Sequence, residues 1–313
     1  MKKIVLLFAF ISHSYVLANY ELDEIFYFPQ KGGSVLTLDT SIKSYEIEYG
    51  ENNVGIAGGD IQEFDQKVLL IRPTYKYSLN DRLLISTALS YQTKDLETNI
   101  ENAQDVPTKA DSKNGIYDPT IGLRYRLLKK NTVYVDVLLT QIFKTNAFIE
   151  GNRTRTAQTY SGRNASSLST VMGYKFRSFM LETHLNINYL TKLERKIVLL
   201  DENYKSKNTF SIGFGGRVLF RASEQLNIIG GFRSTSVNAY DMKGSTTSLH
   251  IDQVLKAVLS GRLEFKKLQH SIGILSLGLD FDTTFNRFTY DNLDVLKSES
   301  QIILSTFRIE KRF

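Results

Sequence analysis

Charged side chains recur at matching positions of successive segments in this sequence, and basic ones outnumber acidic ones. They are Lys76, Arg124, Arg126, Lys175, Arg217, Arg262, Arg308 and Arg312 against Asp136, Glu182, Glu264 and Glu310. If these side chains share an enclosed face, the surplus of cations would attract small anions, since rings of charge select ions. The alternative is that the charges pair across neighbouring segments as salt bridges, or that the long basic side chains reach solvent.

His184 is the residue best suited to acid–base chemistry. It lies between Glu182 and Asn186 at alternate positions, so a strand would place all three on one face. A carboxylate beside an imidazole can orient a general base. No local motif brings a serine to His184, and the histidines lack the spacing of metal ligands. We therefore expect no enzyme, no catalytic residue, no metal site and no cofactor, and a hydrolase using His184 is the least favoured alternative.

The elements that must position these residues are strands, because apolar and polar residues alternate with a period of two. In "FMLETHLNINYLTK" (179–192), Leu181, Leu185 and Ile187 oppose Glu182 and His184. The same alternation returns along much of the chain. It predicts about twelve strands, at 35–49, 67–78, 82–95, 117–128, 132–144, 165–177, 179–192, 208–221, 225–238, 250–266, 269–284 and 299–313.

The connections between the predicted strands are alternately short and long. The long ones are polar, as in 96–116 and 145–164. Short periplasmic turns and long extracellular loops are typical of bacterial outer-membrane barrels. The predicted fold is therefore all-β, a transmembrane antiparallel β-barrel covering 35–313. In the first strand the apolar residues change parity. This favours a β-bulge near Lys43 or Ser44, and the alternative is that the strand begins at a different residue.

The composition agrees with export to the outer membrane. Residues 1–18 form a predicted signal peptide, with Lys2 and Lys3 before a short apolar run and cleavage after Ala18. The chain has no Cys, which excludes disulfides, and 19 Phe, 17 Tyr and only four Pro. The net charge of +6 is too modest to suggest nucleic-acid binding. Residues 19–34 would be either a periplasmic lead-in or a small plug.

Aromatic residues end the predicted strands on both sides of the membrane. One girdle, at the periplasmic interface, would contain Tyr77, Tyr125, Phe176, Phe220, Phe265 and Phe313, and the opposite one Tyr91, Phe143, Tyr189, Phe232 and Phe281. These rings would contact outer-membrane lipid and lipopolysaccharide. The last strand, which ends in Phe313, resembles the C-terminal recognition signal of bacterial outer-membrane proteins. That resemblance implies handling by periplasmic chaperones and the barrel-assembly machinery.

The stretch "GIYDPTIGLRYRLLKKN" (115–131) resembles a family of predicted outer-membrane proteins of the phenol meta-pathway. The matching positions are Gly115, Asp118, Gly122, Leu123, Arg124, Tyr125, Arg126 and Leu127. The resemblance implies a transporter-like barrel and, as an expectation, transport of small compounds such as aromatic ones. We expect a channel for passive diffusion of small solutes, either anion-preferring or for small aromatic compounds. The alternative is a closed barrel that binds a partner through loops 96–116 and 145–164.

Overall fold

The computed structural model describes most of the chain beyond the predicted signal peptide. It covers residues 28–50, 62–100, 109–130, 132–145, 149–150, 163–176, 179–197, 202–223, 226–244, 248–251, 253–265, 274–290 and 293–313. The predicted signal peptide, its cleavage point and most of the 19–34 segment lie outside these residues. In the described part of the chain, no helix is both long and apolar enough to cross a membrane.

Twelve long strands form the wall of the molecule. In chain order they are β1 (Ser34–Gly50), β2 (Gln62–Asn80), β3 (Leu83–Ile100), β4 (Lys109–Lys129), β5 (Val133–Ile142), β6 (Ala165–Lys175), β7 (Phe179–Leu190), β8 (Thr209–Arg221), β9 (Leu226–Val237), β10 (Val254–Phe265), β11 (Ile274–Tyr290) and β12 (Leu293–Arg312).

These strands close into a barrel. Each pairs antiparallel with its neighbour in sequence, and β1 pairs with β12 from Val35 opposite Arg312 to Gly50 opposite Lys297. Closure leaves no free edge in the wall, so the backbone groups of the first and last strands are hydrogen-bonded. The predicted all-β fold, a twelve-stranded antiparallel barrel, is confirmed.

Alternation places apolar residues outside the barrel and polar residues inside. On β7, Leu181, Leu185 and Ile187 are 39–51% exposed, whereas Glu182 and His184 are buried. A water-soluble protein would have the reverse arrangement, with apolar side chains in its core. An apolar outer surface around a polar interior is the arrangement of membrane barrels.

The two ends of the barrel differ in their connections. Short links such as 81–82 and 130–132 lie at one end, called here the turn end, and the other is the loop end. At the loop end several strands run further than predicted, so 96–100 and 109–116 belong to β3 and β4 instead of a loop. Short strands lie there too, at Ile149–Glu150, Glu194–Ile197, Glu202–Ser206, Tyr240–Lys243 and Ser248–Ile251.

The predicted bulge in the first strand is wrong. The register of β1 with both neighbours is continuous from Val35 to Tyr49, and Lys43 is buried while Ser44 is exposed, as alternation requires. The apolar parity changes because β1 is 17 residues long, more than the roughly 10 that cross a membrane. Beyond the lipid the outward face no longer has to be apolar.

Candidate functional site

Ten of the twelve charged residues named above, all except Glu310 and Arg312, are the predicted lining of a pore. The structure places nine of these ten on the shielded interior side of the wall. Buried are Arg124, Arg126, Asp136, Glu182, Arg217 and Arg308, and partly buried are Lys76, Arg262 and Glu264. Lys175 is exposed at the end of β6, at the rim of the barrel. The interior of the barrel, called the lumen below, is therefore the candidate functional site.

Two arginines of β4 share one carboxylate of β5. Arg126 lies directly opposite Asp136 in the register, and its Nε and Nη2 donate to Oδ1 and Oδ2 at 2.8 and 3.0 Å. Arg124 donates to Oδ2 from Nε at 2.8 Å, and its Nη2 contacts the same oxygen. Asp136 has no exposed surface. Charge-assisted bonds of this kind fix the orientation of both guanidinium planes.

A second group of polar side chains continues along the wall from this cluster. The Tyr134 hydroxyl donates to Glu182 Oε2 at 3.0 Å, and Arg217 donates to Oε1 from Nε and Nη2 at 3.0 and 2.7 Å. The Arg126 guanidinium lies 4.8 Å from the centre of the Tyr134 ring. We call the six residues Arg124, Arg126, Tyr134, Asp136, Glu182 and Arg217 the lumen network.

Tyr134 reaches Glu182 only because the intervening strand β6 carries a glycine. Tyr134 lies opposite Gly173, and Gly173 lies opposite Glu182. The Tyr134 ring rests on Gly173, so closely that a Cβ at that position would overlap it. Glycines in strands often mark such close approaches. The sequence does not single out Tyr134 as a site residue, because its partner is two strands away.

A cavity lies beside the lumen network, on the side of β1 to β3. Its lining includes four basic side chains and one carboxylate, namely Arg72, Lys76, Arg124, Arg308 and Asp39, together with Leu84, Ala88 and Leu138. Arg308 donates through Nη2 to Asp39 at 3.1 Å, and its Nε contacts the second carboxylate oxygen. Sequence reasoning missed Asp39 and Arg72, although the alternation of β1 and β2 could have placed them inside.

His184 is a wall residue of the lumen. It is buried between Glu182 and Asn186 on the inward face, as alternation predicted, and its ring lies against Gly215 of β8. On the same face Asn188 donates to the Ser211 hydroxyl at 2.8 Å. Within the described ranges, no three His, Asp or Glu side chains are grouped so that they could hold a metal ion.

The predicted aromatic girdle residues lie on the outer surface near the turn end. Tyr77, Tyr125, Phe176, Phe220 and Phe313 are 39–64% exposed, and Phe265 is partly buried. Phe176 stacks on Phe179 with ring centres 4.1 Å apart. Of the opposite set, Tyr91, Phe143, Phe232 and Phe281 are exposed as well. Exposed rings at this level suit a membrane interface, and the girdle itself stays a prediction.

Comparison with known proteins identifies the architecture. An outer-membrane channel from Pseudomonas putida F1 superposes with a TM-score of 0.58 at 10% identity, covering 92% of this chain and 97% of that one. The chain has the fold of an outer-membrane channel. Two more distant matches are a Pseudomonas aeruginosa FadL homologue (TM-score 0.42, 8% identity, 89% and 90% covered) and the monoaromatic hydrocarbon channel CymD (0.41, 10%, 91% and 89%).

Sequence comparison adds nothing to this result, since no protein-family model and no curated protein matches the chain. The predicted resemblance to a transporter-like family of outer-membrane barrels is confirmed at the level of the fold. The alternative of partner binding through loops depends largely on 101–108 and 151–162, which lie outside the described residues.

Proposed function

We propose that the protein is an outer-membrane channel through which small solutes diffuse passively, with a preference for anions. Its closed barrel, apolar outside and polar inside, supports residence in a membrane. A twelve-stranded barrel encloses more space than an eight-stranded one, which side chains fill, and less than a sixteen-stranded porin. Lipid, lipopolysaccharide and the assembly factors named above remain the expected partners.

The charge of the lumen carries the proposed preference for anions. Among the residues whose side chains are described, eight Lys and Arg are buried but only four Asp and Glu. The basic ones are Lys43, Arg72, Arg124, Arg126, Arg163, Arg217, Lys256 and Arg308, and the acidic ones are Asp118, Asp136, Glu182 and Glu310. Pairing within the lumen network still leaves this surplus of positive charge, which raises the local concentration of anions.

Single-channel recording in a planar bilayer tests the proposal, with the reversal potential measured across a salt gradient. We expect stable conductance steps and a reversal potential that indicates anions as the more permeant ions. Lys76→Glu reverses a charge at the cavity, and two unit charges 4 Å apart in water interact by about 1 kcal/mol. The ratio of anion to cation permeability should therefore fall by about threefold or more.

Lys175→Glu is the matched control, because it makes the same change of charge at an exposed position of the rim. Screening by salt should make its effect on the permeability ratio clearly smaller. Arg124 and Arg126 are poor choices for charge reversal, because both bind the buried Asp136 and the barrel itself would suffer. Cation preference, or no conductance from a correctly folded barrel, would contradict the proposal.

A further inference from the structure

The segment preceding β1 turns back into the lumen. Residues Gln30 to Gly33 form a tight turn, in which the Gly33 amide donates to the Gln30 carbonyl at 2.8 Å. Gly32 has a φ of +77°, a conformation that glycine adopts without strain and that the third position of a type II turn requires. The turn is fixed to β2, since the Gly32 amide donates to the Ser78 carbonyl at 2.9 Å.

This turn brings an aromatic ring of the chain itself onto the lumen network. The Phe28 ring centre lies 5.2 Å from the Arg124 guanidinium carbon and 4.6 Å from that of Arg126. Asp136 accepts hydrogen bonds from the donor edges of both guanidinium groups. A guanidinium that is bonded along its edge can still attract a ring through its face. The two arginines thus present a platform suited to an aromatic ring.

The adjoining cavity supplies a complementary environment for a negative charge. Arg124 belongs to both the platform and the cavity, where Arg72, Lys76 and Arg308 face a single carboxylate, Asp39. Buried apolar side chains, Leu84 and Leu138, line the same cavity. A ligand that combines a flat ring with one anionic group would match the platform, the leucines and the basic side chains together.

We propose that the Arg124–Arg126 platform and its cavity form a binding subsite for small aromatic carboxylates. The ligand's ring takes the place of the Phe28 ring, and its carboxylate enters the cavity near Arg72, Lys76 and Arg308. The inference rests on the proposed channel function and names the solute class that its lumen selects. Phe28 is then a tethered competitor, which covers the platform until a solute displaces it.

A tethered group that competes with the ligand raises the ligand's apparent Kd. The apparent Kd equals the Kd of the open subsite divided by the fraction of time for which the subsite is open. If Phe28 covers the platform for about nine-tenths of the time, its removal should tighten binding about tenfold. Phe28 precedes the barrel strands, so Phe28→Ala leaves the paired backbone of the wall unchanged. Phe28→Leu is a second variant that keeps an apolar side chain but removes the aromatic face.

The experiment measures benzoate binding to the refolded full-length barrel in detergent, by calorimetry or saturation-transfer NMR. The expected result is weak binding to the unchanged protein and about tenfold tighter binding to both Phe28 variants. Adding Lys76→Gln to Phe28→Ala should weaken benzoate binding again. Neutral benzamide, which keeps the ring, and cyclohexanecarboxylate, which keeps the charge, should each bind less tightly than benzoate.

Each control identifies a different failure. Equal binding of benzamide would overturn the carboxylate class, and equal binding of cyclohexanecarboxylate would overturn the aromatic one. Unchanged affinity in both Phe28 variants would show that the ring does not cover the subsite. Binding is measured without a membrane, so it is independent of conductance. Benzoate binding to a barrel that does not conduct would refute the channel function but not the subsite. Conductance without benzoate binding would refute the subsite but not the channel function.

Discussion

Asp136→Asn is expected to lower the free energy of unfolding by about 3 to 5 kcal/mol, the usual effect of breaking a buried ion pair on one side. Asp136 accepts hydrogen bonds from both Arg124 and Arg126 and has no exposed surface. Asparagine keeps the size of the side chain but removes its charge. Its amide has only one acceptor oxygen where the carboxylate has two. The NH₂ group that replaces the second oxygen is a donor and would face guanidinium groups that are donors themselves.

Unfolding by urea in lipid vesicles, followed by far-ultraviolet circular dichroism, would measure the loss. The absence of Trp from the chain rules out tryptophan fluorescence as the probe. Glu264→Gln is the matched control, since Glu264 is only partly buried and accepts one hydrogen bond from Asn227 at 2.8 Å. Its effect should stay below about 1 kcal/mol. Equal stability of Asp136→Asn and the unchanged protein would show that Asp136 does not hold the arginines together.

The positions of the strands could be predicted because lipid imposes a simple pattern. Outward residues within the membrane are mostly apolar, and every second residue faces the lumen, as on β7 with Leu181 and Glu182. The rule fails where lipid ends, so it predicts a loop at the extensions of β3 and β4. For the same reason the change of parity in β1 predicts a bulge near Lys43 that the structure does not contain.

Pairing inside the lumen could not be predicted, because it depends on the register between strands. Arg126 lies opposite Asp136, but the register shifts before Leu128, which lies opposite Val135. A register shift by one residue reverses the face to which the following side chains point. No local sequence pattern predicts the shift between Arg126 and Leu128. The contact of Phe28 with Arg126 depends likewise on a turn. Gly32 and Gly33 indicate that a turn is present but not where it directs the preceding residue.

Gly173→Ala is expected to destabilise the barrel by about 2 to 4 kcal/mol, although it adds only one methyl group. The methyl group would overlap the Tyr134 ring, which rests on Gly173. To make room, Tyr134 must turn away from the wall and give up its 3.0 Å hydrogen bond to Glu182. Where a strand glycine has open space around it, the same substitution is favourable, since glycine loses more conformational entropy than alanine on folding.

A double-mutant cycle with Tyr134 separates this overlap from a general effect on β6. In a Tyr134→Ala background the space above residue 173 is open, so Gly173→Ala should change the free energy of unfolding by less than about 0.5 kcal/mol. In a Tyr134→Phe background the ring remains and only its hydroxyl is lost, so most of the destabilisation should persist. An equally large loss in the Tyr134→Ala background would mean that Gly173 is required by the strand itself. If Gly173→Ala destabilises the barrel only where residue 134 carries a ring, in the unchanged protein and in Tyr134→Phe, the glycine of β6 is what allows Tyr134 of β5 to reach Glu182 of β7.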